Sequence, residues 1–158
     1  MILYVAIAGL LAMMGGFVYY ASLDNPHLEL VEVKLQSVKV MEVNQIEDRA
    51  KLEVTFLVKN PSDKTVTVPL ITYDLYANDQ RVGSSQYSTQ DVAMPGRAAF
   101  YPGAEIPLKN VFQLTQSELN SDIYQAIIDE RPLTYSAEGI ITVESAWSIV
   151  EKEFKTSM

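Results

Sequence analysis

The chain has 158 residues, a formal net charge of −8, no cysteine and one histidine. That length builds one domain with a real core. The negative charge, with no basic stripe, excludes nucleic acid as a partner, and the missing cysteine excludes disulfides, thiolate metal sites and thiol nucleophiles.

Met1 to Ala21 (MILYVAIAGLLAMMGGFVYYA) carries no charged side chain, and the first one met is Asp24. Residues 1–21, at about 1.5 Å each, span roughly 31 Å, the thickness of a hydrocarbon core. The segment predicts a transmembrane anchor helix, so the lipid bilayer is the first expected partner and the cell membrane the location. A cleaved signal peptide is the rival reading. Against it, no Lys or Arg precedes the apolar run, and Tyr19 and Tyr20 stand where a small residue belongs. Tyr4 near one end and Tyr19 and Tyr20 at the other suit the two membrane interfaces. Ala8, Ala12 and Gly16 fall at i, i+4 and i+8, a line of small residues along which a membrane-protein partner's helix can pack. The alternative is that Ala and Gly are simply frequent in such helices. No basic residue flanks the run before Lys34, while Asp24, Glu29 and Glu32 follow it. The expected orientation puts the short N-terminus inside and the domain on the extracytoplasmic side.

Ser22 to Pro26 (SLDNP) is a polar break closed by proline. Residues 22–27 make the linker and 28–158 the domain, which such a short linker holds close to the membrane. Leu28 to Val43 reads as one long extended stretch whose alternation shifts phase near Gln36-Ser37, the mark of a bulge or of a strand changing sheets. Asn44 to Arg49 is a polar turn. Leu52, Val54, Phe56 and Val58 alternate with Lys51, Glu53, Thr55 and Lys59, as in a half-buried strand. Asn60-Pro61 stops it, and the Asn60 amide can bond the turn backbone. Thr65 to Ala77 resumes, Asn78-Asp79 turns, and Gln80 to Tyr87 runs back. Pro95-Gly96 is a further turn signal. Ala98 to Leu108 reads as a strand interrupted by Pro102-Gly103. Thr115 and Glu118 have capping-box spacing for a helix with the stripe Leu119, Ile123, Ala126 and Ile127, ended by Pro132. Leu133 to Val143 and Ser148 to Phe154 close the chain as strands.

Asn60-Pro61, Tyr73-Asp74-Leu75-Tyr76, Val82-Gly83, Pro95-Gly96 and the YSAEGII segment with Gly139 follow one another in order. Over roughly Leu28 to Val150 this set resembles the group 2 late-embryogenesis-abundant domain, also called the water-stress and hypersensitive-response (WHy) domain. The resemblance implies an immunoglobulin- or fibronectin-like β-sandwich and no enzymatic activity. The short anchored architecture points to an archaeal source. The expected fold is therefore all-β, with about seven or eight strands and one short helix, behind a single transmembrane helix.

The chain offers little catalytic or cofactor-binding chemistry. It has no Walker loop, GxGxxG, GxSxG or HExxH, and no cofactor or metal is expected. Glu118, Asp122 and Asp129 on one helix side read as a solvated face before a calcium site. Asp24, His27 and Glu29 read as a polar linker before a metal or proton site. Ser84, Ser85, Ser88 and Thr89 read as loop residues rather than nucleophiles. Tyr73, Tyr76, Tyr87, Phe100 and Tyr101 form an aromatic set, expected as core and cross-strand pairs or, alternatively, as a lipid-accepting groove. Trp147 is expected to cap the core. The function these features suggest is contact: an accessory subunit of a membrane complex or a stress- (desiccation-) protective domain, with a lipid-binding module as the alternative.

Overall fold

The structure, a computed structural model, describes residues 2–89, 98–117 and 121–158. Its elements in chain order are α1 (Ile2–Ser22), α2 (Asn25–Leu28), β1 (Glu32–Asn44), β2 (Arg49–Lys59), β3 (Val66–Ala77), β4 (Gln80–Ser88), β5 (Ala99–Phe100), β6 (Glu105–Thr115), α3 (Ser121–Ile128), β7 (Tyr135–Glu144) and β8 (Ile149–Ser157). The strands form two antiparallel sheets. One has the order β1-β2-β6; the other has the order β4-β3-β7-β8, with β5 also pairing with β3.

The local rules hold strand by strand. In β2 the alternating Leu52, Val54, Phe56 and Val58 are all buried, as period two requires when one face meets the core. The β1–β2 register slips between Leu35 and Ser37, and again between Val40 and Glu42. The first slip is the phase shift visible at Gln36-Ser37. It is a bulge, not a change of sheet, since β1 stays on β2 throughout. Asn44 starts the following turn by accepting the N–H groups of Ile46 and Glu47. Asn78 and Asp79 both have positive φ, the backbone of a two-residue turn whose twist matches a hairpin. Pro69 lies inside the central strand β3, where a missing N–H is costly. The β3–β7 register breaks between Thr67 and Leu70, around it. Pro107 sits in β6, an edge strand, where proline is tolerated.

The chain crosses between the sheets at Asn60 and again at Pro102-Gly103. Asn60 serves these two crossings; a third, from β6 to β7, runs through α3. Its side chain is fully buried. Nδ2 donates to the carbonyls of Lys64 (2.7 Å) and Phe100 (2.9 Å), and Oδ1 accepts from the Ser62 N–H (3.1 Å) and hydroxyl (2.7 Å). Its backbone N–H donates to Ala104 and its carbonyl accepts from Gly103. One amide thus clasps the β2–β3 turn to the β5–β6 turn.

Between the sheets lies the core. Phe56 of β2 meets Tyr73 of β3 edge-on at 4.8 Å and Phe154 of β8 at 5.8 Å; Tyr73 lies 6.3 Å from Phe112 of β6. Each such side chain contributes about 1.5–3 kcal/mol by leaving water. Both flanks are stitched by side chains. Leu35 N–H on β1 donates to Thr156 Oγ1 on β8, and Asn110 Nδ2 on β6 donates to Tyr73 Oη and Ser85 Oγ.

Several expectations are corrected. The extended stretch begins at Glu32, not Leu28; Asn25 to Leu28 is a helical turn that buries Leu28. Ala98 to Leu108 is not one strand. β5 belongs to the sheet of β3 and β6 to the sheet of β2, and β6 runs on to Thr115. Thr115 is the last residue of β6, paired with Arg49. Glu118 and Leu119 lie outside the described residues, as do Pro95 and Gly96. The helix stops before Pro132. Glu130 takes positive φ, and the Arg131 N–H bonds the Ala126 carbonyl, a Schellman-type end. Ser84, Ser85 and Ser88 are strand residues of β4, paired with Asp74, Tyr73 and Leu70. Trp147 does not cap the core; it is 66% exposed in the β7–β8 turn.

Replacing Asn60 with Ala removes the side-chain partner of the buried Phe100 carbonyl and of the buried Ser62 N–H, each such group costing about 1–3 kcal/mol. Asn60→Ala should therefore destabilise the domain by about 2–6 kcal/mol in urea unfolding. A loss of under 1 kcal/mol would mean that the clasp is dispensable.

Candidate functional site

The motif residues converge on the larger sheet. Tyr73 is buried, and Asn110 donates to its hydroxyl at 2.9 Å. Gly139 pairs with it across β7. A Cβ on Gly139 would come within 2.0 Å of the Thr72 carbonyl oxygen, so no side chain fits without moving β3. Gly83 lies opposite Leu75, and a Cβ there would approach the tip of the Phe112 ring at 3.1 Å. Asn60 and Pro61 stand at the end of the same sandwich. These positions shape the packing of the two sheets.

Asp74 and Tyr76 point to the outer face, as the alternation with Tyr73 and Leu75 predicts. Asp74 Oδ1 accepts from Arg81 Nη2 (2.9 Å) and Nε (3.2 Å) and from the Ser84 hydroxyl. Tyr76 Oη donates to Glu138 Oε1 at 2.7 Å, and Lys155 lies 3.0 Å from Glu138 Oε2. The Ser84 hydroxyl, then Arg81, hold the Asp74 carboxyl below its usual range. The Tyr76 hydroxyl, then Lys155, do the same for Glu138. Burial pushes the Tyr73 phenol up; the bond to Glu138 does so for Tyr76. The result is an interlocked surface network whose charges are paired.

The aromatic set divides. Tyr73, Tyr87 and Phe100 are buried in the core, while Tyr101 is 66% exposed in the β5–β6 turn. Asp122 and Asp129 lie on and just beyond α3, where Asp129 pairs with Arg131. Among the described residues, no three or more His, Cys, Asp or Glu side chains gather as a metal site.

The remaining candidate is the junction between α1 and the sandwich. α1 is long and apolar enough to cross a membrane, and none of it is buried against the domain. Ala8, Ala12 and Gly16 lie along it, exposed, with open space around Gly16. Its end is locked down. Asp24 Oδ2 accepts from the Ser145 hydroxyl at 3.1 Å, and Asn25 Oδ1 accepts from the Ser148 hydroxyl. His27 Nδ1 lies 3.0 Å from Asp63 Oδ1 in the β2–β3 turn. Lys152 Nζ donates to the carbonyls of Glu29 (2.6 Å) and Val31 (3.0 Å). Leu28 and Val31 are buried beneath. Residues 24–27 of the expected linker are therefore bonded to the domain. His27 turns to Asp63, while Asp24 is occupied by Ser145. Sequence reasoning missed this joint, although Asp24-Asn25-Pro26 carries a helix-start signal, with proline in the first turn.

No family model matches the chain, and no curated protein matches it. Solved structures do. The solution structure of AT1g01470 from Arabidopsis thaliana superposes with a TM-score of 0.53 at 12% identity, over 80% of each chain. The X-ray structure of the structural-genomics target SoR45 gives 0.50 at 9% identity, over 79% of this chain and 84% of that one. At2g46140.1, whose name places it among late embryogenesis abundant (LEA) proteins, gives 0.47 at 15% identity, over 98% and 84%. At these identities the likeness is one of fold.

The paired charges predict a pH profile with a sign at each end. Asp74 and Glu138 have depressed folded pKa values. Their contribution is present above the ordinary carboxylate range and is lost as pH falls through and below it. Tyr73 and Tyr76 are raised, so their contribution is lost as pH climbs through and above the ordinary phenol range. Urea midpoints should be flat near neutrality and fall on both sides. Asp74→Asn should blunt the acid limb and Tyr73→Phe the alkaline one. Unchanged limbs in these variants would assign the profile to other groups.

Proposed function

We propose that this chain is a non-catalytic, single-pass membrane protein whose sandwich works by contact at the membrane surface. The observation that carries this reading is α1: an uncharged apolar helix, exposed along its length, whose last turn runs into a joint bonded to the domain. Each exposed Leu, Phe or Val forfeits about 1.5–3 kcal/mol in water, and a bilayer removes that cost. The ordered motif residues, with the fold likeness to the Arabidopsis protein, support a WHy-type domain of the immunoglobulin- or fibronectin-like class. The paired surface network supports a contact role over catalysis, because its charged groups already hold one another. Within that role the domain acts as an accessory subunit of a membrane complex, or as a stress- (desiccation-) protective domain, on the extracytoplasmic side. The exposed line Ala8, Ala12 and Gly16 favours the subunit version, since small side chains let a partner helix approach closely.

Two experiments test this. In intact cells, added protease should clip the domain without lysis; digestion only after lysis would place it inside. On native gels of gently solubilised membranes, the protein should migrate in a large assembly with stoichiometric membrane subunits. Ala8→Leu, Ala12→Leu and Gly16→Leu together should release it while the domain stays folded. Migration alone would favour the protective reading; an unmoved assembly in the triple variant would remove α1 as the contact.

A further inference from the structure

The end of the sandwich that carries α1 also carries its exposed aromatic side chains. Register places the ends of the strands without ambiguity. Glu32, Lys59 and Glu105 are aligned at one end, with Glu144 and Ile149 paired there in the other sheet. The β5–β6 and β7–β8 turns therefore share this end with the joint. Tyr101 and Trp147 sit in those two turns, each 66% exposed, with Ile149 beside Trp147 at 64%. The opposite end holds the Asn44–Arg49 turn.

Distance decides how close these side chains lie to a bilayer. Asp24 is two residues past the end of α1, and Ser145, two residues before Trp147, donates to its carboxylate. Two residues of chain reach at most about 7 Å. The headgroup layer on each side of the hydrocarbon is itself roughly 5–8 Å deep. The two-residue leg ends at Asp24; the Asp24–Ser145 bond and two further residues separate it from Trp147, a path that, with Tyr19 and Tyr20 at the end of α1, lets the turn reach the layer. Trp and Tyr are the side chains that settle there, because each has an apolar body and a polar tip. Lys64 in the β2–β3 turn is exposed, but the acidic Glu29, Glu32, Asp63 and Glu105 outnumber the basic side chains of this end. Lys59 pairs with Glu105 at 2.7 Å, and Lys152 is bonded to Glu29 and Val31. Attraction to anionic lipid is thus a minor term.

Resting on the reading of α1 as a membrane span, we infer that the sandwich lies on the bilayer through the β7–β8 and β5–β6 turns, with Trp147 and Tyr101 seated among the lipid headgroups. The joint of α2 fixes this pose. Asp24, Asn25 and His27 hold two different turns at once, so the domain does not swing on a tether.

Trp147 is the chain's single tryptophan, so the wild-type protein reports on itself. The test uses full-length protein reconstituted into phosphatidylcholine vesicles. Flotation after alkaline washing reports the span; Trp fluorescence reports the pose. The expected result is a blue-shifted emission, quenched several-fold more by headgroup-level spin-labelled lipid than by aqueous iodide. Adding 20–30% phosphatidylserine should leave it unchanged (about that proportion suffices to charge a membrane). The double variant Trp147→Phe with Ile46→Trp moves the probe to the far end, where iodide should quench it freely. Protein that floats while Trp147 remains open to iodide would overturn the pose and leave the span intact. Protein that washes off the vesicles would overturn the span, and the pose with it.

Discussion

The buried amide of Asn60 is the constraint on which the rest of the fold depends. A two-sheet structure must pass its chain from one layer to the other, and each passage leaves backbone groups without ladder partners. Here two passages are brought to one point, and a single side chain serves carbonyls from both, with donors and acceptor all engaged. The pairing of β3 with β5 at Val66 and Phe100 then follows. So does the start of β6 beside β2 at Glu105 and Lys59. Because Asn60 sits in the dry interior, an alternative arrangement must desolvate the same groups without return.

The same end of the domain receives α1. The β2–β3 turn that Asn60 shapes presents Asp63 to His27, and the β7–β8 turn presents Ser145 and Ser148 to Asp24 and Asn25. The clasp and the joint are therefore neighbours. Order in the crossing turns is passed directly to the orientation of α1. A domain bonded through two turns meets α1 at a defined place.

The motif that suggested a family turns out to be architectural. Gly139 and Gly83 are small because backbone and ring occupy the space a Cβ would take. Tyr73 supplies the central ring of the core, and Asp74 and Tyr76 tie three strands together on the outer face. Residues of this kind repeat wherever the same packing repeats, so they mark a fold more readily than a function.

Local pattern alone determined the elements that depend on near neighbours. Period-two apolarity placed β2, β3, β7 and β8, Asn78-Asp79 placed a hairpin, and an unbroken apolar run placed α1. Where the pattern was too short or doubly readable, it misled. Leu28 continues an alternation yet ends a helical turn; Trp147 is apolar yet lies in a turn too short to show which way it faces. Tertiary structure decided everything that joins distant residues. Asn60 was legible as a turn residue, but its bond to Phe100 spans 40 positions, and the bond from Ser145 to Asp24 spans 121. Likewise Ala98 to Leu108 divides between two sheets because its halves find different partners, β3 and β2. The physical reason is that a residue's preference for strand, turn or helix is set by its own backbone and the few residues beside it. Which strands pair, and which end of the sandwich meets α1, is set by contacts that exist only once the chain has closed on itself.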